Sequence, residues 1–433
     1  MGVQTLPRSA GLNTLVPAMF IKAPIARTGN GGRELVDLRE LGIFQKILGS
    51  DKGYHTQHDA LVTQTADNVD INALWAEFQA TLDIFNARRQ ALVTLLTYPV
   101  TNLIERVPQV GSAEFEDATE FGVPQGVRVA LSYFTLGYDF RDYDIATRYT
   151  WKFLRDSDAR AVQAIHQAVL EADNRLIFRR VMEAIFDNRN RVTDINNANI
   201  PVYPLYNADG TVPPAYKGTT FLSTHTHYLI SGGVADGGGK VHVDSGDLQE
   251  MVTHIRHHGY GTETGTTFVL LANTIDAADI RTFRAGVANF NGAVALYDFI
   301  PSSASPSLIV PNAQGLIGTL PPSSFQGLTV IGSYGGILII EEDYIPENYL
   351  FMFGTGGTAN LQNLVGLREH ANAAYRGLRI LPGNQNGYPL VDSFYSRSFG
   401  TGIRQRAGGV VLQLKAAAPY DVPDQYERGL GNG

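Results

Sequence analysis

The 433-residue chain contains no cysteine. Disulfide stapling, zinc ribbons, thiol nucleophiles and iron–sulfur clusters are thereby excluded, so stability has to come from packing and association. Long apolar runs are missing too. No window comes near the roughly 18 uninterrupted apolar residues of a membrane helix, and residues 1–30 hold no compact apolar core behind a basic start. Leu6 stands where a myristoylation signal needs Ser or Thr. A cytosolic product with no membrane partner is the expectation. Basic excess is also lacking: the net charge is −8 and the isoelectric point about 5.7, against the basic face that a dedicated nucleic-acid binder carries.

Catalytic motifs are missing as well. No serine sits in Gly-x-Ser-x-Gly, and no run of alternating carboxylates ends in the glutamate of a calcium loop. Gly237-Gly-Gly-Lys240 lacks the first glycine of a phosphate loop, and Val241 stands where Ser or Thr would hold magnesium. Gly354-Thr-Gly-Gly-Thr-Ala359 meets the dinucleotide spacing only with Ala in third place, and no acidic residue follows about 20 positions on. Both read as turns. Among the ten histidines, His225 and His227 alternate on an extended stretch, while His254, His257 and His258 gather near a helix end, where the dipole favours imidazolium. They form no HExxH and no closed ligand set, so neither a metal nor a cofactor is expected, and no catalytic residue.

What is present is a folded, domain-sized composition, 44% hydrophobic and 18% charged, long enough for two or three domains. Its most regular stretch is 157–186. There Val162, Ile165, Val169, Ala172 and Leu176 recur at steps of three and four, and Ile177, Val181 and Ile185 continue on a neighbouring row. That stripe predicts one helix of ~45 Å, capped by Asp156 and Ser157, with Arg179 and Arg180 near its end. A short helix is expected over 144–155 before it. Residues 1–65 read as irregular with a faint helix at 35–47, and 70–96 as a helix capped by Asp70. After the long helix, 188–239 is rich in Asn, Pro, Tyr and Gly and longer than an ordinary connection. Helices at 247–257 and 276–285 around a buried strand at 267–272 give α/β alternation, and strands at 328–340, 349–353, 378–381, 394–399 and 409–414 follow. The last stretch, AAAPYDVPDQYERGLGNG, reads as a tail.

Residues 106–142 form two β-rich runs around an acidic middle punctuated by Gly and Pro, which predicts a long hairpin. Hairpin, long helix, α/β segment and a return to β-structure together resemble the major capsid protein of tailed double-stranded DNA bacteriophages, the Hong Kong 97 type. The likeness is carried by ATEFGVPQGVRVALSYFTLGYDFRDYD, by RDSDARAVQAIHQAVLEADNRLIFRRVMEAIF, and by TTFVLLANTIDAADIRTF and TVIGSYGGILIIEEDYIPENYLFMFG. It implies an α+β capsid fold: an N-terminal arm over 1–103, the extended loop over 104–142, a peripheral domain over 143–244 and 364–415, an axial domain over 245–363 and a tail over 416–433. It also implies a virion protein assembled in the bacterial cytoplasm into hexamers and pentamers. This shell encloses double-stranded DNA without sequence-specific binding and works with scaffolding, portal and decoration proteins. A mildly acidic wall suits that task, because it does not hold phosphate in place. On the loop, Glu114, Phe115, Glu116, Asp117, Glu120 and Phe121 are the implied contacts with a neighbouring subunit, the carboxylates facing its arginines. The alternatives are an encapsulin-like nanocompartment and a cytosolic α/β enzyme.

Some members of that family weld their shells through a loop lysine joined to a neighbour's asparagine. Residues 106–142 contain no lysine, and an arginine guanidinium stays protonated and cannot serve as the nucleophile. Boiled particles should therefore give a single band near 47.2 kDa on a denaturing gel. A ladder of covalent multimers would overturn this and direct attention to Lys152.

Overall fold

The computed structural model describes residues 22–25, 34–37, 64–87, 91–110, 131–195, 198–261, 265–303, 321–382 and 390–427. The chain divides into two compact units. The first comprises residues 1–80, 146–166 and 382–394, the second 81–145, 167–381 and 395–433.

In the first unit the strands Lys22–Ile25 and Glu34–Asp37 pair antiparallel, where the sequence suggested irregular chain and a faint helix. Ile71, Leu74 and Phe78 recur at helical spacing and are buried, as are Val162 and His166. His166 lies flat on the Phe78 ring at 4.0 Å, and burial pushes its imidazole down to about 4. The long helix runs Ala159–Phe186, and its cap differs from expectation. The amide of Ala161 donates to the Asp158 side chain, and that of Ala159 to Asp67 at 3.1 Å. Asp156 pairs instead with Arg155, and Ser157 closes the short helix Trp151–Asp156. The residues before that helix are a strand, Arg141–Thr150, not a helix. Thr147 and Tyr149 are buried while Ala146, Arg148 and Thr150 are exposed, a period of two that a helix cannot satisfy.

The second unit is built on a seven-stranded sheet. Its order is Ile300–Pro301, Gly332–Tyr334, Ile337–Glu341, Thr267–Ala272, Tyr349–Thr355, Gly409–Gln413, Tyr228–Ile230. The central strand Thr267–Ala272 pairs parallel with Ile337–Glu341 and antiparallel with Tyr349–Thr355, so neither of its sides is an edge. Alternation sends Val269 and Leu271 into one core and Phe268, Leu270 and Ala272 into the other. The first core is completed by the long helix through Ile177, Phe178, Val181, Met182, Ile185 and Phe186. The second is completed by the helix Ser245–Arg256 through Leu248, Met251, Val252 and Ile255. That helix starts in a capping box, with Asp244 accepting from the Asp247 amide and Asp247 from the Asp244 amide. A five-stranded sheet is centred on Val365–Glu369, with Thr97–Val100 parallel on one side and Leu390–Ile403 antiparallel on the other. The second expected helix of this region is short, Thr274–Ile280, and the expected 70–96 helix is two pieces, Ile71–Ala87 and Ala91–Leu96.

The stripe on the long helix follows the expected one at Val162, Val169, Ile177, Val181 and Ile185, which are buried, and departs from it elsewhere. Ile165 and Leu176 are only half-buried, while Leu170, Phe178 and Met182 are fully buried. Two carboxylates sit inside it. Glu183 is held by Arg179 at 3.1 Å and Arg180 at 2.6 Å, the two arginines expected to serve the helix dipole. Asp173, 3% exposed, meets Arg397, 6% exposed, at 2.5 Å. The supposed tail also packs. Tyr426 stacks on Phe186 and donates to the Tyr344 carbonyl, and Tyr420 donates to the Phe186 carbonyl. Among the described residues no helix is long and apolar enough to cross a membrane.

Removing one partner of a buried ion pair strands the other charge. Asp173→Ala should thus cost about 3–5 kcal/mol, read as a lower denaturant midpoint of the subunit, whereas Asp173→Leu with Arg397→Met should recover most of it. A single mutant as stable as the parent would show the pair to be dispensable.

Candidate functional site

Three features stand out from the fold. The first is the hairpin. Ile104–Val110 pairs antiparallel with Leu131–Gly137, from Ile104 opposite Gly137 to Val110 opposite Leu131. The root is anchored by polar contacts: Tyr138 donates to Glu105 at 2.6 Å, shares a 2.8 Å hydrogen bond with Tyr98, and Glu105 also meets Arg404 at 3.1 Å. Glycine makes the close approach possible. A Cβ on Gly400 would lie 1.5 Å from the Asp139 carbonyl oxygen, and one on Gly366 would lie 2.3 Å from the Tyr138 ring. Along the ribbon apolar groups face solvent, with Tyr133 60% and Ile104 42% exposed. Glu114, Phe115, Glu116, Asp117, Glu120 and Phe121 lie outside the described residues.

The second feature is the long segment after the helix Ala159–Phe186, the spine helix of the subunit, which is organised around an arginine that the sequence did not single out. Arg406, 3% exposed, donates to the Pro204 carbonyl at 2.9 Å, Thr211 at 2.7 Å and Asp209 at 2.9 Å, and lies over the Tyr206 ring at 4.3 Å. No periodicity could have flagged it, because its partners are some 200 positions away.

The third feature is a set of histidines that the folding of this segment brings together. His225 and His227 project from the extended stretch to the same side, as alternate residues do, and meet His258 just past the helix Ser245–Arg256. Their three Nε2 atoms lie 2.9 Å (His225 to His258), 3.2 Å (His225 to His227) and 3.2 Å (His227 to His258) apart. His227 is wholly buried and donates from Nδ1 to the Gly409 carbonyl at 2.7 Å. His254 donates from Nε2 to the Thr226 carbonyl and stacks on His225, and His257 is exposed. Burial pushes His225 down to about 4 and His258 to about 3, and holds His227 well below the usual range, so all three are neutral imidazoles near pH 7.

The weighed nucleotide motifs are turns. The Asp236 side chain accepts from the amides of Gly238 and Lys240, while the Lys240 ammonium is engaged by Asp276 at 3.3 Å and Asp279 at 3.5 Å. Gly354 lies inside a strand, and the turn after it, with Gly357 at φ 106° and Ala359 at φ 51°, leads to no helix.

The fold is similar to that of a solved structure from Mycobacterium phage Patience, at 52% identity over 88% of this chain and 98% of that one, with a TM-score of 0.70. Weaker similarity extends to the mature capsid of bacteriophage PhiM1, at 9% identity over 75% and 87% and a TM-score of 0.44. It extends also to an encapsulin complex from Synechococcus elongatus, at 14% identity over 77% and 94% and a TM-score of 0.39. No protein-family model matches the chain, and neither does any curated protein sequence.

The glycine contacts at the hairpin root predict that Gly400→Ala, which must push the 139–140 backbone away, costs about 1–3 kcal/mol. Tryptic cleavage at exposed Arg106 should accelerate with it. Parental stability and unchanged cleavage would mean that the root yields freely.

Proposed function

The chain belongs to the Hong Kong 97-type major capsid proteins of tailed bacteriophages, and we propose from that premise how its parts build a shell. Its function is that of a major capsid protein, and it associates with copies of itself as a component of the virion capsid. The observation that carries this is the 52% identity along nearly the full length of both chains, which places the phage reading ahead of an encapsulin-like compartment. Nothing in the family's role calls for catalysis. The remaining assignments are our own reading: hexamers and pentamers, assembly in the host cytoplasm, double-stranded DNA enclosed without sequence-specific contacts, and scaffolding, portal and decoration proteins as further partners.

The extended loop, 104–142, is the arm that reaches a neighbouring subunit. A two-stranded ribbon is marginal by itself in water, and this one exposes Tyr133 and Ile104 along its described part. Laid on a neighbour, these side chains are removed from water, and the carboxylates of Glu114, Glu116, Asp117 and Glu120, with Phe115 and Phe121 beside them, set register against basic groups. A second contact region is the turn carrying Val287, Val294, Leu296 and Tyr297, all exposed and all within one short stretch of the axial domain, 245–363. The arm over 1–103 and the peripheral domain over 143–244 and 364–415 supply the rest of the contacts. The contacts are non-covalent throughout.

Deleting residues 112–126 should leave folded, soluble subunits or capsomers that do not close into particles, as seen by electron microscopy and gel filtration. Normal shells from the deletion would overturn the role of the loop while leaving membership of the family untouched.

A further inference from the structure

Three nitrogens at mutual distances of 2.9, 3.2 and 3.2 Å pose a problem that hydrogen bonding alone cannot solve. In a neutral imidazole each ring nitrogen is either an N–H or a lone pair, never both. Because a carbonyl only accepts, the 2.7 Å contact of His227 Nδ1 with Gly409 places the proton there and leaves Nε2 of His227 as a lone pair. Around a triangle with two kinds of corner, at most two edges can be donor-to-acceptor. Whatever the tautomers of His225 and His258, one edge sets two lone pairs or two N–H groups face to face at about 3 Å. A cation at the centre removes the conflict by accepting all three lone pairs.

The geometry fits such an ion. The ring centroids are 5.1, 4.9 and 5.0 Å apart while the Nε2 atoms are about 2 Å closer together, so every ring turns that nitrogen inward. Tetrahedral ligands at 2.0–2.1 Å from zinc stand about 3.3 Å from one another, close to the spacing here. The 2.7 Å bond from His227 to Gly409 is the outer contact that fixes tautomer and ring orientation in histidine metal sites. His258 follows the last turn of the helix Ser245–Arg256, whose carbonyl end favours positive charge. The turn is fixed by Gly259 at φ 89°, where a Cβ would come within 2.8 Å of the Tyr216 ring.

We propose that Nε2 of His225, His227 and His258 hold one divalent transition-metal ion, zinc by preference, which pins the long segment after the spine helix to the end of the helix Ser245–Arg256. Imidazole suits zinc, copper and nickel, and three protein ligands leave a fourth position for water. His225 and His258 are only partly buried, which gives the ion an entry route. The role is a clasp. It joins the 225–227 stretch to His258, 31 to 33 positions away just past the helix Ser245–Arg256, within a chain that has no cysteine to make a covalent equivalent.

The test uses the untagged full chain, incubated with zinc, freed of excess by gel filtration and analysed for metal. One zinc per chain is expected in the parent and in His257→Ala, which removes an exposed neighbour outside the triangle. His225→Ala and His258→Ala should fall at least about tenfold. His225→Gln repeats the test in a side chain that keeps a polar group, with circular dichroism verifying its fold. Cobalt loading should give the intense visible absorption of a tetrahedral site in the parent and none in the triangle variants. A chelator should lower the unfolding midpoint of the parent and not that of His258→Ala. A parent that retains no zinc would overturn the proposal and leave a buried histidine cluster only. Triangle variants that keep a full equivalent would overturn it equally.

Discussion

The molecule depends on one strand being covered on every side. Thr267–Ala272 has a neighbour on each edge and an apolar core on each face, and every residue from Phe268 to Ala272 is buried. Two helices of different length follow from that requirement. The C-terminal half of Ala159–Phe186 closes one face and Ser245–Arg256 the other, and the segments that approach them are held by contacts made from those helices outward. Even the chain's last described turn serves this end, because Tyr426 stacks on Phe186 where the long helix stops.

How much of this could be seen in the sequence depended on whether the signal was local. The helix Ala159–Phe186 and the strand Thr267–Ala272 declared themselves through period and burial-prone composition, and the structure places them within two residues of expectation. Residues 144–150 invite a helical reading because their inward side chains, Thr147 and Tyr149, are not strongly apolar, so the alternation is faint. The sequence points to Asp156 and Ser157 as caps, because nothing local tells that Asp158 caps the helix while Asp67 arrives from afar to accept from Ala159. The histidines stand out in the sequence, yet the gap between His227 and His258 hides that three of them meet, because only the folded chain closes it. Family likeness supplied the architecture, and the contacts of the 188–239 segment lay beyond it.

Arginine greatly outnumbers lysine in this chain, and the structure gives part of that bias a physical use. Arg406 reaches three separate oxygen partners while lying over the Tyr206 ring, and Arg397 meets Asp173 where almost no water enters. A planar, weakly hydrated guanidinium tolerates such burial, and a lysine ammonium, compact and strongly hydrated, does not. Lys240, by contrast, keeps to a partly open position between two aspartates.

Strand order has a consequence for how a subunit is made. Gly409–Gln413 lies between Tyr349–Thr355 and Tyr228–Ile230, so a strand translated early waits for one translated some 180 residues later before it gains its sheet partner. At a synthesis rate of about 5–20 residues per second, that wait lasts on the order of ten seconds or more. A nascent chain lacking residues 409–413 exposes a row of unpaired backbone groups on Tyr349–Phe353 and carries an incomplete core under the helix Ala159–Phe186. A chain interrupted before that point therefore lacks the strand that completes this edge and this core.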